Sequence, residues 1–160
     1  MNIDIVPVAA RKVWPLFAPH HYLTGKYAGH HAFLAVMPDG DPVAFASIIF
    51  FPHAQIGRAW RGHRTVVLPD FQGLGLGARL SDWVGDYVTT VHEGGGARYF
   101  SRTLHPRLGA YREASPLWRA TSENRKKLQP SARTSTTTAS TLGANRRSSF
   151  SHEYIGRQKA

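Results

Sequence analysis

The order of apolar and polar residues predicts a succession of short strands and helices. Two apolar runs on either side of the turn sequence Pro38-Asp39-Gly40-Asp41 predict a hairpin of strands. In all, strands are predicted over residues 3–8, 32–37, 42–51, 62–68, 97–104, 117–121 and 152–155. Helices are predicted over residues 9–17, 78–91 and 106–114, and Pro15 bends or delays the first of them.

The helix over residues 78–91 has the clearest pattern. Its apolar residues recur at the spacing of one helix face, which we expect to be buried, and they are Leu80, Trp83, Val84, Tyr87, Val88 and Val91. Three consecutive glycines, Gly94-Gly95-Gly96, end it.

A turn rich in glycine, Gln72-Gly73-Leu74-Gly75-Leu76-Gly77, joins the strand before this helix to the helix itself. The first N–H groups of a helix have no partner in the helix, and the helix dipole adds partial positive charge there. Glycines let the backbone approach an anion closely. The segment therefore predicts a cradle for a phosphate or diphosphate. The alternative is a glycine turn that only permits tight packing of strand against helix.

The composition bounds what such a protein can do. With 160 residues the chain is expected to form one domain, and 20 Lys and Arg against 10 Asp and Glu give a net charge of +10. This charge favours a polyanion such as nucleic acid, although it also fits general solubility with an anionic cofactor. The chain has no cysteine, which excludes disulfides, thiolate metal sites and a cysteine nucleophile.

The chain also carries no sign of membrane insertion or export. No apolar run approaches the ~20 residues of a membrane helix, and Met1-Asn2-Ile3-Asp4-Ile5 does not begin a signal peptide. We expect a cytoplasmic protein. Residues 124–149 are rich in Ser, Thr, Ala and Arg, and no carboxylate lies between Glu123 and Glu153. They are predicted to form a basic flexible loop or an extended hairpin within the domain 1–160.

The spacing of the glycine turn distinguishes between kinds of diphosphate site. No Lys-Ser or Lys-Thr follows the last glycine, and the spacing is not Gly-x-Gly-x-x-Gly, which argues against nucleotide and dinucleotide loops. Gln72, Gly75 and Gly77 fill the positions of Gln-x-x-Gly-x-Gly, and with the flanking strand and helix the chain resembles the GNAT superfamily of acyltransferases.

The resemblance implies an α/β (α+β) fold with a central, mixed, mostly antiparallel sheet of six to seven strands flanked by helices. It also implies that acetyl-CoA or another acyl-CoA binds at the turn. The residues implied are Val67, Leu68, Gln72, Gly73, Leu74, Gly75, Leu76, Gly77 and Ala78.

Candidate catalytic residues follow the strand over 97–104. Many members of the superfamily carry an Asn and, some seven residues later, a Tyr that protonates the departing thiolate. Here His105-Pro106 replaces the Asn, and Tyr111 comes one residue early. Tyr111 is either this acid or an ordinary helix residue. Ser101 could bind substrate or protonate the sulfur, and His105 could act as a general base. Alternatively, the two residues only cap the end of the strand before Pro106.

A narrower resemblance rests on three segments. They are Trp14-Pro15-Leu16-Phe17 with His20-His21-Tyr22-Leu23, the turn with Val67-Leu68-Pro69-Asp70-Phe71 before it, and Ser101-Arg102-Thr103-Leu104-His105-Pro106 with Trp118. They resemble the GNAT-like domains attached to ABC-type ATPases and the phage Mom-like proteins that modify adenine in DNA. This resemblance implies a bacterial or phage-infected cell as the setting. That branch implies catalytic and iron-binding roles for His21 and Tyr22, possible ligands of Fe(II) through N and O donors. Alternatively, the loop histidines bind phosphate, cap the backbone or are exposed.

The basic residues fit a DNA partner. Cations that could contact phosphates without reading sequence are Arg58, Arg61, Arg64, Arg125, Lys126, Lys127, Arg133, Arg146 and Arg147. Aromatic residues that could stack a flipped base are Tyr22, Tyr27, Phe33 and Trp60.

Three functions are therefore open. The first is a GNAT-fold transferase that modifies an amine of nucleic acid, such as the exocyclic amine of adenine. The second is an acetyl-CoA-dependent N-acetyltransferase acting on a small-molecule or protein amine, and the third is a non-catalytic nucleic-acid-binding module. The loop over residues 19–31 has no carboxylate, which argues against a polycationic acceptor.

Overall fold

The structure, a computed structural model, describes residues 2–22, 26–126 and 148–156. Its strands are β1 (Asp4–Val8), β2 (His31–Val36), β3 (Pro42–Phe50), β4 (Ala59–Val67), β5 (Arg98–Thr103), β6 (Trp118–Ala120) and β7 (Phe150–Tyr154). Its α-helices are α1 (Ala10–Phe17), α2 (Leu76–Thr90) and α3 (Pro106–Ala114), and single 3₁₀ turns cover Ala18–His20, Pro69–Phe71 and His92–Gly94. Every strand and helix predicted from the pattern is present, and the mixed α/β class is confirmed.

The chain divides into two compact units, of which the first ends at Tyr99 and the second begins at Phe100. In the first unit β1, β2, β3 and β4 pair in that order, each antiparallel to the next. The hairpin predicted around Asp39 and Gly40 is the β2–β3 pair, in which Leu34 lies opposite Phe45. That the whole chain forms one domain stays a prediction.

The two faces of this sheet are covered by different helices. On one face α1 packs on a buried cluster of Phe17, Ala32, Phe45 and Val66. Because side chains alternate along a strand, Phe33 points to the opposite face. There it contacts the rings of Trp83 and Tyr87 of α2, at 5.4 and 5.2 Å. The predicted face of α2 is thus largely confirmed, since Leu80, Val84 and Val88 are buried, but Val91 lies beyond the helix and is exposed.

Two element boundaries differ from the prediction. The helix α2 begins at Leu76 instead of Ala78, because Gly75 takes the left-handed conformation at the N-cap and the Leu76 side chain is buried. The strand β4 begins at Ala59, within the segment predicted to be a polar connection. Trp60 explains this difference, since it is buried opposite Phe50 and its ring lies against His92 at 4.6 Å.

In the second unit α3 packs on an antiparallel pair formed by β6 and β7. The approach is close at Gly109, where a Cβ atom would overlap the ring of Phe150. Arg112 of the same helix is buried, with its guanidinium 4.5 Å from the ring centre of Trp118. These contacts fix α3 and hence the residues at its start.

The ends of the segment 124–149 are held together in this unit. Arg125 N–H donates to the carbonyl of Ser149 at 2.7 Å, and Ser149 N–H donates to that of Lys126 at 3.1 Å. Residues 127–147 lie outside the described residues, so the prediction of a flexible loop stays a prediction. None of the helices in the described part of the chain is long and apolar enough to cross a membrane.

Candidate functional site

The glycine turn is tied to the end of β4. The Gln72 side-chain amide donates a hydrogen bond to the carbonyl of Val67 at 3.0 Å, and this bond links the turn to the end of the strand. Gly73 and Gly75 have φ angles of +84° and +74°, a region that a residue with a side chain rarely adopts. Gln72 therefore anchors the turn to β4, and the glycines allow the chain to reverse direction into α2.

The turn is also open. A Cβ atom on Gly73 or Gly75 would have no described atom within 4 Å apart from its chain neighbours, so the turn is open at these two positions. No side chain caps the start of α2, and its first N–H groups have no partner within the helix. These donors, with the dipole of a 15-residue helix behind them, suit an anion such as a pyrophosphate.

The predicted cofactor residues divide by their surroundings. Leu74 is exposed on the turn, whereas the Leu76 side chain is only 1% exposed and belongs to the core. Gly77 faces Val67, whose Cγ2 would lie 3.5 Å from an added Cβ atom. Leu68 packs against the α1 cluster. Leu76, Gly77 and Ala78 could therefore contribute to a cradle only through backbone groups or close packing.

A β-bulge interrupts β4 three residues before its end. Ser47 lies opposite Arg64 and Ile48 opposite Gly62, so His63 is an extra residue on β4. A bulge redirects side chains and is common beside binding sites. Here both His63 and Arg64 interact with Tyr27, which packs on the α1 side of the sheet. We call Tyr27, Ser47, His63 and Arg64 the bulge cluster.

His63 is held as a neutral acceptor. Its Nε2 accepts a hydrogen bond from the N–H of Ala28 at 3.1 Å, and its ring lies 5.2 Å from that of Tyr27. Burial, together with the positive charges of Arg64 and Arg61, lowers the pKa of His63 to about 4. With Nε2 accepting, the ring proton of neutral His63 is on Nδ1, which is then a donor.

Arg64 is a partly buried cation with few internal partners. Its Nη1 donates to the carbonyl of His63 at 3.1 Å, while its buried Nε has no hydrogen-bond partner among the described residues. Burial lowers the pKa of Arg64, and Tyr22 and Tyr27 partly offset this. Burial raises the pKa of Tyr27, against smaller effects of Ser47 and Arg64. Although Ser47 faces the Tyr27 hydroxyl, neither makes a well-aligned hydrogen bond within the described chain.

His21 and Tyr22 lie beside this cluster. Their rings stack at 4.8 Å, His21 also contacts Trp14 at 5.9 Å, and Tyr22 is 59% exposed. Iron does not fit what surrounds them: within residues 2–22, 26–126 and 148–156, no three His, Cys, Asp or Glu side chains come together in a group that could hold a metal ion. A role for His21 or Tyr22 in binding an acceptor stays a prediction.

The candidate residues of the second unit are placed as follows. Ser101 is buried on β5, and Tyr111 is partly exposed on α3. His105 is the N-cap of α3, and its Nδ1 accepts from the N–H of Leu108 at 3.4 Å. In this structure the His105 side chain therefore caps the N-terminus of α3. Catalytic roles of these three residues stay predictions.

The predicted nucleic-acid residues have varied surroundings. Arg58 donates to the carbonyls of Glu93 and Gly95, Arg125 pairs with Glu113 at 2.7 Å, and Lys126 pairs with Glu123 at 2.8 Å. Arg61 lies 5.3 Å from the ring centre of Phe51. Lys127, Arg133, Arg146 and Arg147 lie outside the described residues.

Two of the four candidates for stacking a base do not suit that role. Phe33 and Trp60 are 2% and 4% exposed, inside the core of the first unit. His63 was not among the residues predicted from sequence. The signal that could have found it is weak: a Gly-His-Arg sequence inside a strand, which allows a bulge without requiring one.

Comparison with known proteins adds a family. The model described as "Acetyltransferase (GNAT) family" matches residues 7–110. No curated protein sequence matches the chain.

Similar solved structures include a chimera of Vibrio cholerae spermidine N-acetyltransferase SpeG with hSSAT (11% identity, 98% of this chain and 96% of the other, TM-score 0.62). Arabidopsis thaliana Naa50 with the bisubstrate analogue CoA-Ac-MVNAL gives 12% identity, coverage of 96% and 98%, and a TM-score of 0.55. An Escherichia coli ribosomal-protein-alanine N-acetyltransferase has 13% identity and a TM-score of 0.58, with 99% of this chain and 97% of the other covered. At these identities the likeness is one of fold.

Proposed function

The chain belongs to the GNAT acetyltransferase family, and from this membership we propose that it transfers an acyl group from acyl-coenzyme A, in the first instance acetyl-CoA, to an amine. The observation that carries the proposal is the open glycine turn. Its N–H donors at the start of α2, anchored through Gln72 and Val67, suit the pyrophosphate of coenzyme A.

The reaction is a displacement at a thioester. The neutral amine nitrogen attacks the acyl carbon, the C–N bond forms and the C–S bond breaks. The nitrogen then gives up one proton to solvent, and the departing thiolate takes one from a donor. The chain has no cysteine, so an acyl-cysteine intermediate cannot form, and we propose direct transfer to the amine. Two residues are the proposed proton donors to sulfur: Tyr111, carried over from the family pattern, and Ser101, proposed from its place on β5.

The test combines binding with turnover. Acetyl-CoA should raise the melting temperature of the full chain, and free coenzyme A thiol should appear when an amine acceptor is added. Desulfo-coenzyme A, which keeps the pyrophosphate but lacks the thiol, should raise the melting temperature without turnover. If neither ligand raises the melting temperature, the proposal is overturned.

A DNA amine is a second candidate acceptor, in line with the Mom-like resemblance, and the net charge of +10 favours it. Its test is mass spectrometry of nucleosides from cells that express the protein. A new adenine nucleoside that disappears in a Gly75→Glu variant would support this acceptor, whereas unmodified DNA would exclude it.

A further inference from the structure

The first sixty-nine residues contain very little negative charge. From Ile5 to Pro69 the only carboxylates are Asp39 and Asp41, whereas the same 65 residues hold six Arg and Lys side chains and six histidines. Both aspartates lie in the β2–β3 turn. The bulge cluster is at Ser47, five residues along β3 from Pro42 and so roughly 17 Å from that turn.

Arg64 has no counter-ion among the residues that the structure describes. The groups that raise its pKa are the tyrosines Tyr22 and Tyr27, and no carboxylate acts on it. It makes no salt bridge in the described part of the chain, and its buried Nε has no hydrogen-bond partner there. A partly buried guanidinium without a counter-ion is costly, and natural sites of this kind are completed by a carboxylate or phosphate of a ligand.

The neighbours of Arg64 supply further donors and no competing acceptor charge. Neutral His63 keeps a donor at Nδ1, because Nε2 is occupied by Ala28. The Tyr27 and Ser47 hydroxyls are buried and face each other, and neither makes a well-aligned hydrogen bond among the described residues. The positive charge of Arg61 also acts on His63. The whole cluster therefore favours a negative group.

Its position suits an acceptor. Arg64 is three residues before Val67, where the glycine turn is anchored, which is about 10 Å along the strand. A coenzyme A molecule held at the turn can extend its acyl arm over this distance. The cluster is thus near where an amine would have to lie, but it is separate from the turn that would hold the pyrophosphate.

We infer that the bulge cluster binds an anionic group, a carboxylate or a phosphate, carried by the acceptor amine, with Arg64 as its main partner and Tyr27, Ser47 and His63 as further donors. This rests on the proposed acyltransferase function. It predicts an acceptor opposite in charge to a polyamine, with the anion bound by a planar guanidinium whose fork suits two oxygens.

The experiment compares matched amines in the thiol-release assay with acetyl-CoA and the full chain. Phenethylamine is paired with phenylalanine for the carboxylate, ethanolamine with phosphoethanolamine for the phosphate, and spermidine serves as a polycation. We expect kcat/KM for at least one amine that carries an anion to exceed that of its partner without the anion roughly tenfold or more. This is the usual contribution of a hydrogen bond to a charged group. Preference for phenylalanine or for phosphoethanolamine identifies the anion.

Variants locate the effect. Arg64→Met should remove the preference by raising the KM of the anionic amine roughly 10- to 100-fold while leaving the KM of acetyl-CoA unchanged. Arg64→Lys, which keeps the charge but loses the fork, should keep part of it. Arg11→Met, an exposed cation on α1, is the matched control and should change neither constant.

The outcomes are distinguishable. If the wild-type chain has a higher kcat/KM for spermidine or for the amines without an anionic group, the inference is overturned without any variant. The acyltransferase proposal is then left intact. A rise in the KM of acetyl-CoA in Arg64→Met, with no change for the amine, also overturns it, because the anion would then belong to the cofactor. Failure of acetyl-CoA to bind, with no turnover of any amine, overturns both proposals.

Discussion

The ring of His63 lies 5.2 Å from the ring of Tyr27 at an angle of 74°, and Gly29 closes against both of them. A Cβ atom on Gly29 would lie 2.7 Å from Tyr27 Cζ and 3.2 Å from His63 Cδ2. The bulge of β4 and the loop before β2 are thus fitted together around Gly29, where a side chain would have to displace the Tyr27 ring.

Gly29→Ala should damage the bulge cluster selectively. The added methyl group must displace the Tyr27 ring, at a cost of about 1–3 kcal/mol in unfolding free energy. We expect the KM of the amine acceptor to rise more than that of acetyl-CoA, measured by thiol release. Gly57→Ala is the control, because Gly57 has a positive φ but open space around it. Equal effects of both variants on acceptor KM would contradict the prediction.

Gly75→Glu should abolish the rise in melting temperature caused by acetyl-CoA. The left-handed conformation costs a residue with a side chain about 1–2 kcal/mol, and the carboxylate would repel a pyrophosphate in the open space before α2. Gly40→Glu is matched to it, since Gly40 has a φ of +92° and equally open surroundings in the β2–β3 turn. Both variants should lose similar stability without ligand. A retained acetyl-CoA shift in Gly75→Glu would place the cofactor elsewhere.

Gln72→Ala should weaken acetyl-CoA binding without abolishing it. The variant removes the hydrogen bond from the side-chain amide to the Val67 carbonyl, worth about 0.5–1.5 kcal/mol, and loosens the turn. The KM for acetyl-CoA should therefore rise roughly 2- to 10-fold while kcat changes little. Gln55→Ala, an exposed glutamine before β4, serves for comparison. If kcat fell instead, Gln72 would act on the chemistry and not on the turn.

The folded chain should lose stability as the pH falls below about 6.5. Burial lowers the pKa of His63 to about 4, and it also lowers the pKa of His92 and of His152. Below the ordinary histidine pKa of about 6.5 the unfolded chain then binds more protons than the folded chain, which favours unfolding. The contribution of His63 is intact above about 6.5 and is lost by pH 4.

Urea denaturation at pH 7.5, 6.5, 5.5 and 4.5 measures this dependence. Each histidine can contribute a slope of at most about 1.4 kcal/mol per pH unit, and partial exposure of His63 reduces its share. His63→Asn should flatten the profile between pH 6.5 and 4.5. A midpoint that is constant or that rises on acidification would refute the prediction.

His105→Asn separates the capping role from a role as a base. Asparagine is a good N-cap, so this variant should keep the melting temperature of the wild type, whereas His105→Ala should lose about 1 kcal/mol. Because Nδ1 of His105 is engaged with Leu108, we expect kcat of His105→Asn to stay within about twofold of the wild type. A fall in kcat at unchanged melting temperature would instead assign His105 to proton transfer.

The local sequence pattern was sufficient to predict the strands, the helices and the glycine turn. The run from Pro42 to Phe51 predicts a buried strand because its apolar residues leave no polar face, and β3 is buried over six consecutive positions. The predicted start of β4 was wrong by three residues, since Arg58, Arg61 and the preceding polar residues conceal the buried Trp60. No local rule identifies which tryptophan finds a partner such as His92 far along the chain.

The sequence by itself determined the family fold and the position of its glycine turn, because turn geometry and amphipathic spacing are properties of neighbouring residues. Only the tertiary structure decided that β4 bulges at His63, that Tyr27 and Gly29 meet it from 34 or more residues away, and that Arg64 lies among them without a carboxylate. Strand register and the pairing of buried charges depend on contacts between distant segments. Such contacts are fixed only when the sheet packs against its helices.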